Sequence, residues 1–282
     1  MARYQVPSTR TELDALTARI IDAGGSPWCL GITGGPVEGA SAVGFVEDQV
    51  LGGVSGPMTY DDWVAGRTGF DSPAILDGFN YLDRVVFNDG SVLGGPAAAV
   101  RIPQDVAAWP LSDTPPGCWL HLGGGAERLE WHRGQDGTLA AFPMPATDPN
   151  SAGVMRGRLY SVVVFHDRPE VRRVLDLLVG TLAGGNGMSS SPSVSATLAA
   201  AGLWQVGSDT SALPEAGAIE GALRRGLFRV SASDLVSRDA SAALARVAAQ
   251  LVSSKSGPAE RVSETRWLLA QVVPLWPVPR SP

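Results

Sequence analysis

Short apolar runs bounded by glycine and proline alternate with helical segments along this chain, and this alternation constrains the fold most. The run at residues 28–32, Trp-Cys-Leu-Gly-Ile, lies between a proline and a Gly-Gly-Pro turn and predicts a buried strand. A second strand is predicted at residues 117–122, and two more at 139–145 and 159–165. Strands that alternate with helices are typical of an α/β domain.

The helical segments carry apolar residues at helical spacing. Thr9 and Glu12 match a capping box at the start of the first helix. A second helix is predicted at residues 43–50, with Glu47 and Asp48 on its solvent-exposed face. Further helices are predicted at residues 73–86, 169–179, 214–225, 239–253 and 258–273, and a long ordered loop at 94–116. The C-terminal third is therefore expected to be largely helical.

Composition and charge argue against several classes of function. The chain has 282 residues, a net charge of −6 and no block of lysine or arginine, so no nucleic-acid partner is expected. No stretch approaches the roughly 18–20 apolar residues that cross a bilayer, so the chain is not expected to span a membrane. The first ten residues contain neither an apolar core nor a small-residue cleavage site, so no export signal is expected.

Catalytic, metal-binding and cofactor-binding motifs are missing from the sequence. The three histidines, His121, His132 and His166, share no helical face with one another or with a carboxylate cluster, so no metal site is expected. No Gly-x-Ser-x-Gly, Gly-x-Gly-x-x-Gly or Walker A sequence occurs. The chain is therefore predicted to be non-catalytic, with no catalytic residues and no cofactor.

The two cysteines, Cys29 and Cys118, each lie beside a tryptophan in a predicted strand. If those strands are neighbours, the Cα atoms could fall within the roughly 4.4–6.8 Å that a disulfide requires. A disulfide is predicted for a domain outside the cytoplasm. The alternative is a pair of buried free thiols that act as small hydrophobic side chains.

Seven short motifs occur in one order over nearly the whole chain. They are Pro-Trp-Cys-Leu-Gly-Ile at 27–32, Val-Glu-Asp at 46–48, Tyr-Asp-x-Trp-Val at 60–64, Pro-Gly-Cys-Trp-Leu-His at 116–121, Asp-Arg-Pro-Glu-Val at 167–171, Phe-Arg-Val-Ser-Ala-Ser-Asp-Leu at 228–235 and Leu-Trp-Pro at 275–277. With these motifs the chain resembles the extracellular solute-binding proteins of carbohydrate ABC importers, specifically the α-glucoside-binding branch.

The resemblance implies a type II periplasmic-binding-protein fold, in which two α/β lobes surround a cleft that closes on a small-molecule solute. Family members carry a signal peptide and a first lobe ahead of the segment that begins here at residue 7. The chain is therefore expected to hold mainly the second lobe plus the crossing segments. The predicted domains are residues 1–158, the α/β second lobe; 159–200, a crossing strand and helix toward the first lobe; and 201–282, a helical segment that packs on the lobe.

The predicted ligand contacts lie in three segments and are Gly34, Gly35, Pro36, Val37, Glu38, His121, Gly123, Gly124, Arg156 and Arg158. The family pattern has a Gly-Trp pair and then an Asp-Trp pair where this chain has Gly39-Ala40 and Gly44-Phe45, so Ala40 stands in place of a stacking indole. Two arginines replace the Gly-Gly-Asp or Gly-Gly-Gln of the family. They favour an acidic or phosphorylated solute, and the alternative is that both are solvated surface charges.

Two functions follow from the resemblance. The first is a non-catalytic component, related to ABC importers, that binds a carbohydrate or a carbohydrate-derived solute outside the cell or in the cell envelope. Its partners would be an ABC permease or a fused or separate first lobe. The alternative is a receptor-derived sensory or interaction domain of a larger signalling protein, with no transport role.

Overall fold

The computed structural model describes residues 4–33, 39–122, 142–151, 153–157, 165–174 and 227–277. Within these ranges no helix is both long and apolar enough to cross a membrane. The chain divides into two compact units: unit 1 holds residues 1–122, 143–157 and 229–282, and unit 2 holds residues 123–142 and 158–228. The chain thus passes four times between the units. The predicted domains 1–158, 159–200 and 201–282 stay a prediction. The two units also divide the chain near residues 122, 142 and 228.

Helices dominate the described part of the chain. In chain order the helices and strands are α1 (Arg10–Asp22), β1 (Ser26–Trp28), α2 (Ala40–Leu51), α3 (Gly56–Val64), α4 (Pro73–Phe87), α5 (Pro96–Ala99), α6 (Gln104–Ala107), β2 (Cys118–Leu120), β3 (Met155–Gly157), β4 (Phe228–Val230), α7 (Ala232–Leu235), α8 (Arg238–Ser253) and α9 (Pro258–Val272). The predicted helices that match α1, α2, α4, α8 and α9 are confirmed.

The Thr9 half of the capping box predicted at the start of α1 is present, whereas Glu12 contacts Ser8, the residue before the N-cap. The Thr9 hydroxyl accepts a hydrogen bond from the Glu12 backbone N–H at 3.2 Å. The Glu12 carboxylate turns back to the N–H of Ser8 at 2.7 Å. Because these contacts satisfy N–H groups that have no partner inside the helix, they fix where α1 begins.

The expectation of a long loop at residues 94–116 is wrong. This stretch forms α5, α6 and a short 3-10 helix at Trp109–Ser112. A proline opens each of them: Pro96 and Pro110 lie in the first turn, and Pro103 is the N-cap of α6. Because proline fixes φ near the helical value, each one starts a turn of helix in a segment too rich in glycine and alanine to show an amphipathic pattern.

The strands are shorter than predicted. β1 pairs with β2 in parallel, and β3 pairs with β4, so each described sheet has two strands of three residues. Beyond β1, Thr33 makes an isolated bridge to Pro103, and the neighbouring segment turns into α6 at Gln104. No strand forms in the described part, 142–145, of the strand predicted at 139–145. The strand predicted at 159–165, apart from Phe165, and the helix predicted at 214–225 lie outside the described residues.

The core of unit 1 is built around α2, which packs against α3, α4 and α8. Phe45 on α2 is buried, stacks on Tyr81 of α4 at 5.6 Å and meets Trp28 edge-on at 5.7 Å. A second aromatic cluster joins Trp63 of α3 to Trp276, whose rings stack at 5.2 Å. Trp28 and Trp63 are therefore core residues, as their apolar surroundings in the sequence predict.

Unit 2 is described only in part. Residues 169–174 are helical, in agreement with the first half of the helix predicted at 169–179. Asp167 and Arg172 form an exposed ion pair across the start of this helix.

Candidate functional site

His121 lies just beyond the carboxyl end of the parallel pair β1–β2. The strands register Ser26 with Cys118 and Trp28 with Leu120. Past their ends the Cys29 N–H donates to the Leu120 carbonyl at 2.8 Å, and Nδ1 of His121 lies 2.9 Å from the Cys29 carbonyl oxygen. Ligands of open α/β sheets bind outside the carboxyl ends of the strands, so His121 stands at the edge where a ligand is expected.

Both residues that flank the segment 34–38, which carries five of the predicted contacts, form backbone hydrogen bonds. Thr33 donates its N–H to the Ile102 carbonyl at 3.4 Å, and Gly39 donates to the Ile32 carbonyl at 3.0 Å. Gly39 caps α2 with a φ of 87°, and a Cβ at this position would collide with the backbone of Ala245 on α8. Only glycine fits such a left-handed, crowded position. The predicted contacts at 34–38, 123, 124 and 158 themselves lie outside the described residues.

A disulfide joins Cys29 to Cys118, the pairing that the sequence predicts, with the Cα atoms 5.5 Å apart. The bridge links the end of β1 to the start of β2, and both cysteines are buried. It closes a sequence separation of 89 residues. The two strands that lead to His121 are thus cross-linked covalently.

Arg156, on β3, is paired with two carboxylates instead of being a solvated surface charge. Its Nε lies 3.0 Å from Oδ1 of Asp48 and 3.3 Å from Oε2 of Glu47, and its side chain is 19% exposed. Burial opposes the charge of Arg156, but the carboxylates of Asp48 and Glu47 outweigh it and raise the pKa of the guanidinium. Arg156 as a ligand contact stays a prediction, and its charge is already engaged in the ion pair with Asp48.

Glu47 is fully buried, so its predicted position on a solvent-exposed face is wrong. The reason is that α2 is packed on several sides, which a single amphipathic stripe does not reveal. The Glu47 carboxylate accepts hydrogen bonds from the hydroxyls of Ser231 at 2.9 Å and Tyr60 at 3.1 Å. Burial raises the pKa of Glu47, although Arg156 and the Ser231 hydroxyl act in the opposite direction.

The loop positions that depart from the family pattern have a structural role here. Phe45 belongs to the core, and Ala40 is the first residue of α2. A Cβ on Gly44 would lie 2.6 Å from Nη2 of Arg156, so the missing side chain at position 44 makes room for the arginine. The departures at Gly44 and Arg156 are therefore in contact with each other.

Sequence reasoning missed the polar network around Glu47. A signal was present: three of the motifs that carry the resemblance, at 46–48, 60–64 and 228–235, each contribute one of its members, Glu47, Tyr60 and Ser231. A motif that combines an acidic or hydroxyl side chain with apolar neighbours can supply a buried polar group as readily as a surface one.

Comparison with known proteins gives relatives of one kind. Over 182 residues the chain is 31% identical to the osmoprotective compounds-binding protein GgtB of Synechocystis sp., a match that covers 63% of this chain and 42% of that protein. Over 120 residues it is 36% identical to the alpha-glucosides-binding periplasmic protein AglE of Rhizobium meliloti, covering 43% of this chain and 26% of that protein. No family model matches the chain.

This chain is also similar in structure to a solved chitin oligosaccharide binding protein, with a TM-score of 0.63 at 13% sequence identity. The superposition covers 96% of this chain and 66% of the chain of that protein. This likeness shows a periplasmic-binding-protein-like fold. The relatives confirm the resemblance to sugar- and solute-binding proteins of ABC importers that the motifs indicate. The chain spans less than half the length of both curated relatives.

Proposed function

We propose that this chain binds a small solute, a carbohydrate or a compound derived from one, as a non-catalytic component related to ABC importers. The observation that carries the proposal is the 31% identity over 182 residues to a solute-binding relative. The relatives are binding proteins and not enzymes, and nothing in their names favours the alternative of a signalling domain. The chain corresponds in this proposal to the second lobe and the crossing segments of the resembled fold, with the solute in the cleft between lobes.

The solute site is proposed at the carboxyl edge of β1–β2. His121 stands at this edge, and Thr33 and Gly39, which flank the glycine-containing segment 34–38 in the chain, form backbone hydrogen bonds to Ile102 and Ile32. Gly123 and Gly124 follow His121 in the chain and would add backbone N–H groups without side chains in the way. Arg158 is retained as a proposed contact because it directly follows β3 in the chain.

The proposed solute is polyhydroxylated and is held mainly by hydrogen bonds. The names of the relatives mention osmoprotective compounds, alpha-glucosides and chitin oligosaccharide. Ala40 offers no aromatic face on which a sugar ring could stack. Because Arg156 is already ion-paired with Asp48, an acidic group on the solute would depend mainly on Arg158.

An extracellular or cell-envelope location is part of the same proposal, since a disulfide persists in oxidising compartments. The proposed partner is an ABC permease or a first lobe, separate or fused. These assignments follow from the named periplasmic relative and from the resemblance.

A thermal-shift screen of the oxidised protein tests the proposal. The probes are maltose, trehalose, chitobiose, glycine betaine, glucuronate and glucose 6-phosphate. A solute at about one hundred times its Kd stabilises the folded state by about 2.7 kcal/mol, a shift of several degrees. His121→Ala should abolish that shift, whereas the matched control His166→Ala, at an exposed histidine, should retain it. No shift with any probe, or equal shifts for both variants, contradicts the proposed function or the proposed site, respectively.

A further inference from the structure

The strands β3 and β4 carry the chain out of unit 1 and back into it. Residue 158, the first of the longer unit 2 segment, directly follows β3, and unit 1 resumes within β4 at residue 229. The two strands pair with each other, and the Ser231 N–H donates to the Gly157 carbonyl at 2.7 Å. These strands therefore mark where the chain leaves unit 1 for the longer segment of unit 2 and where it returns.

One buried carboxylate contacts β3, the residues directly after β4 and α3. Glu47 of α2 lies 3.3 Å from Nε of Arg156 on β3 and accepts the Ser231 hydroxyl, immediately after β4, at 2.9 Å. It also accepts from the Tyr60 hydroxyl of α3 at 3.1 Å. The Ala232 N–H points to the same carboxylate oxygen at 3.3 Å. Groups from α3, β3 and the residues after β4 thus converge on a single side chain of α2.

The Tyr60 hydroxyl joins Glu47 to the backbone of Val230 and Ala232. Its hydroxyl accepts the Ala232 N–H at 2.6 Å and can donate its one proton either to Glu47 or to the Val230 carbonyl at 3.0 Å. Burial, and then the charge of Glu47, raise the pKa of Tyr60, so the phenol keeps its proton and remains a donor. The ring is buried and packs edge-on against Trp63 at 5.8 Å. This packing fixes the position of the hydroxyl oxygen.

Such a network favours one arrangement of the elements that it joins. Removing one partner leaves the others buried without a hydrogen bond, and that penalty exceeds the net stabilisation by the bond itself. Any shift of β3 or β4 along α2 would separate Glu47 from Arg156 or from Ser231. The N-cap of the same helix is Gly39, which directly follows the proposed solute segment 34–38 in the chain.

We propose that Glu47 is a positioning residue, whose carboxylate holds the crossing strands β3 and β4 against the helix that carries the solute segment. This inference rests on the proposed function. Glu47 itself does not touch the solute in this proposal. It acts through the placement of α2, whose N-cap is Gly39, and of β3.

Three variants test the proposal by amide hydrogen exchange and by thermal shift. Tyr60→Phe keeps the packed ring and removes the hydroxyl that Ala232 and Val230 contact. Glu47→Ala removes the centre of the network. The control is Asp62→Ala on the same helix as Tyr60, which breaks an exposed ion pair to Arg67. The oxidised full chain is used throughout.

The expected result is local. Exchange of the amides of residues 228–232 should accelerate about tenfold in Tyr60→Phe and more in Glu47→Ala, because each lost hydrogen bond lowers the free energy of local opening. Exchange in α1 should stay as in the wild type, and Asp62→Ala should change neither region. Tyr60→Phe should also weaken the thermal shift produced by maltose or by whichever probe shifts the wild type.

Two outcomes overturn the inference. Exchange at residues 228–232 in Tyr60→Phe that matches the control shows that the network does not hold the strands. Faster exchange with an unchanged solute shift shows that the held arrangement does not matter for binding. If the wild type responds to no probe, the proposed function fails, and the exchange of Tyr60→Phe still decides whether the network holds the strands.

Discussion

Reducing the disulfide between Cys29 and Cys118 should lower the stability of the chain more than any conservative substitution in its core. A cross-link stabilises mainly by restricting the unfolded chain, and the effect grows with the length of the closed loop. With the two cysteines 89 residues apart, the chain-entropy relation gives about 4.6 kcal/mol at 25 °C. For a chain of this size that corresponds to a fall in Tm on the order of 10 °C.

Urea unfolding with and without dithiothreitol measures this loss directly. The double variant Cys29→Ala/Cys118→Ala is the matched control, since its stability should not respond to the reductant. Alkylation without reductant, followed by mass spectrometry, should label neither cysteine of the wild type. The reasoning is refuted if reduction changes the free energy of unfolding by less than about 1 kcal/mol, well below the chain-entropy value, or if both thiols are alkylated in the untreated protein.

Three further predictions concern packing, backbone conformation and pH. Trp276→Ala should cost about 3–5 kcal/mol in urea unfolding, because this buried indole stacks on a second one at 5.2 Å; a loss under about 1 kcal/mol, the worth of a single hydrogen bond, would show that the stack is dispensable. Gly39→Ala should destabilise more than Gly24→Ala, since both glycines have positive φ but only position 39 faces the backbone of Ala245; equal losses would leave strain as the only cause. Because burial raises the pKa of Glu47, the folded state keeps this proton to higher pH than the unfolded chain. The stabilisation is complete below the unfolded pKa near 4.5 and declines as pH rises through the folded pKa, so wild type should lose stability relative to Glu47→Gln over that range; a parallel pH dependence of the two would contradict the direction of the shift.

Local sequence signals predicted the helices better than the strands. Thr9 and Glu12 mark the start of α1, and the proline after Ser72 marks the start of α4, because caps act within one turn. Strand length depends on the neighbouring segment: beyond β1 that segment turns into α6 directly after Pro103, and the pairing ends there. That neighbour is 70 positions further along the chain, so the run at 28–32 alone could not reveal it.

The candidate site was likewise predictable from the sequence only in part. The pairing of Cys29 with Cys118 could be proposed because two similar strand motifs suggested adjacent strands. The burial of Glu47 could not, because its partners Tyr60, Arg156 and Ser231 are brought together only by the tertiary fold. Helical periodicity places a residue relative to one packed face, whereas α2 is enclosed by three other helices.

Isothermal titration calorimetry on the oxidised chain, with the probe that gives the largest thermal shift, tests solute binding most directly. We expect saturable binding of one solute per chain and recovery of the solute chemically unchanged, as NMR of the supernatant would show. His121→Ala should lose the binding heat while the disulfide stays intact. Absence of saturable heat for every probe, or conversion of the solute to a product, would contradict the account of this chain as a non-catalytic solute-binding protein.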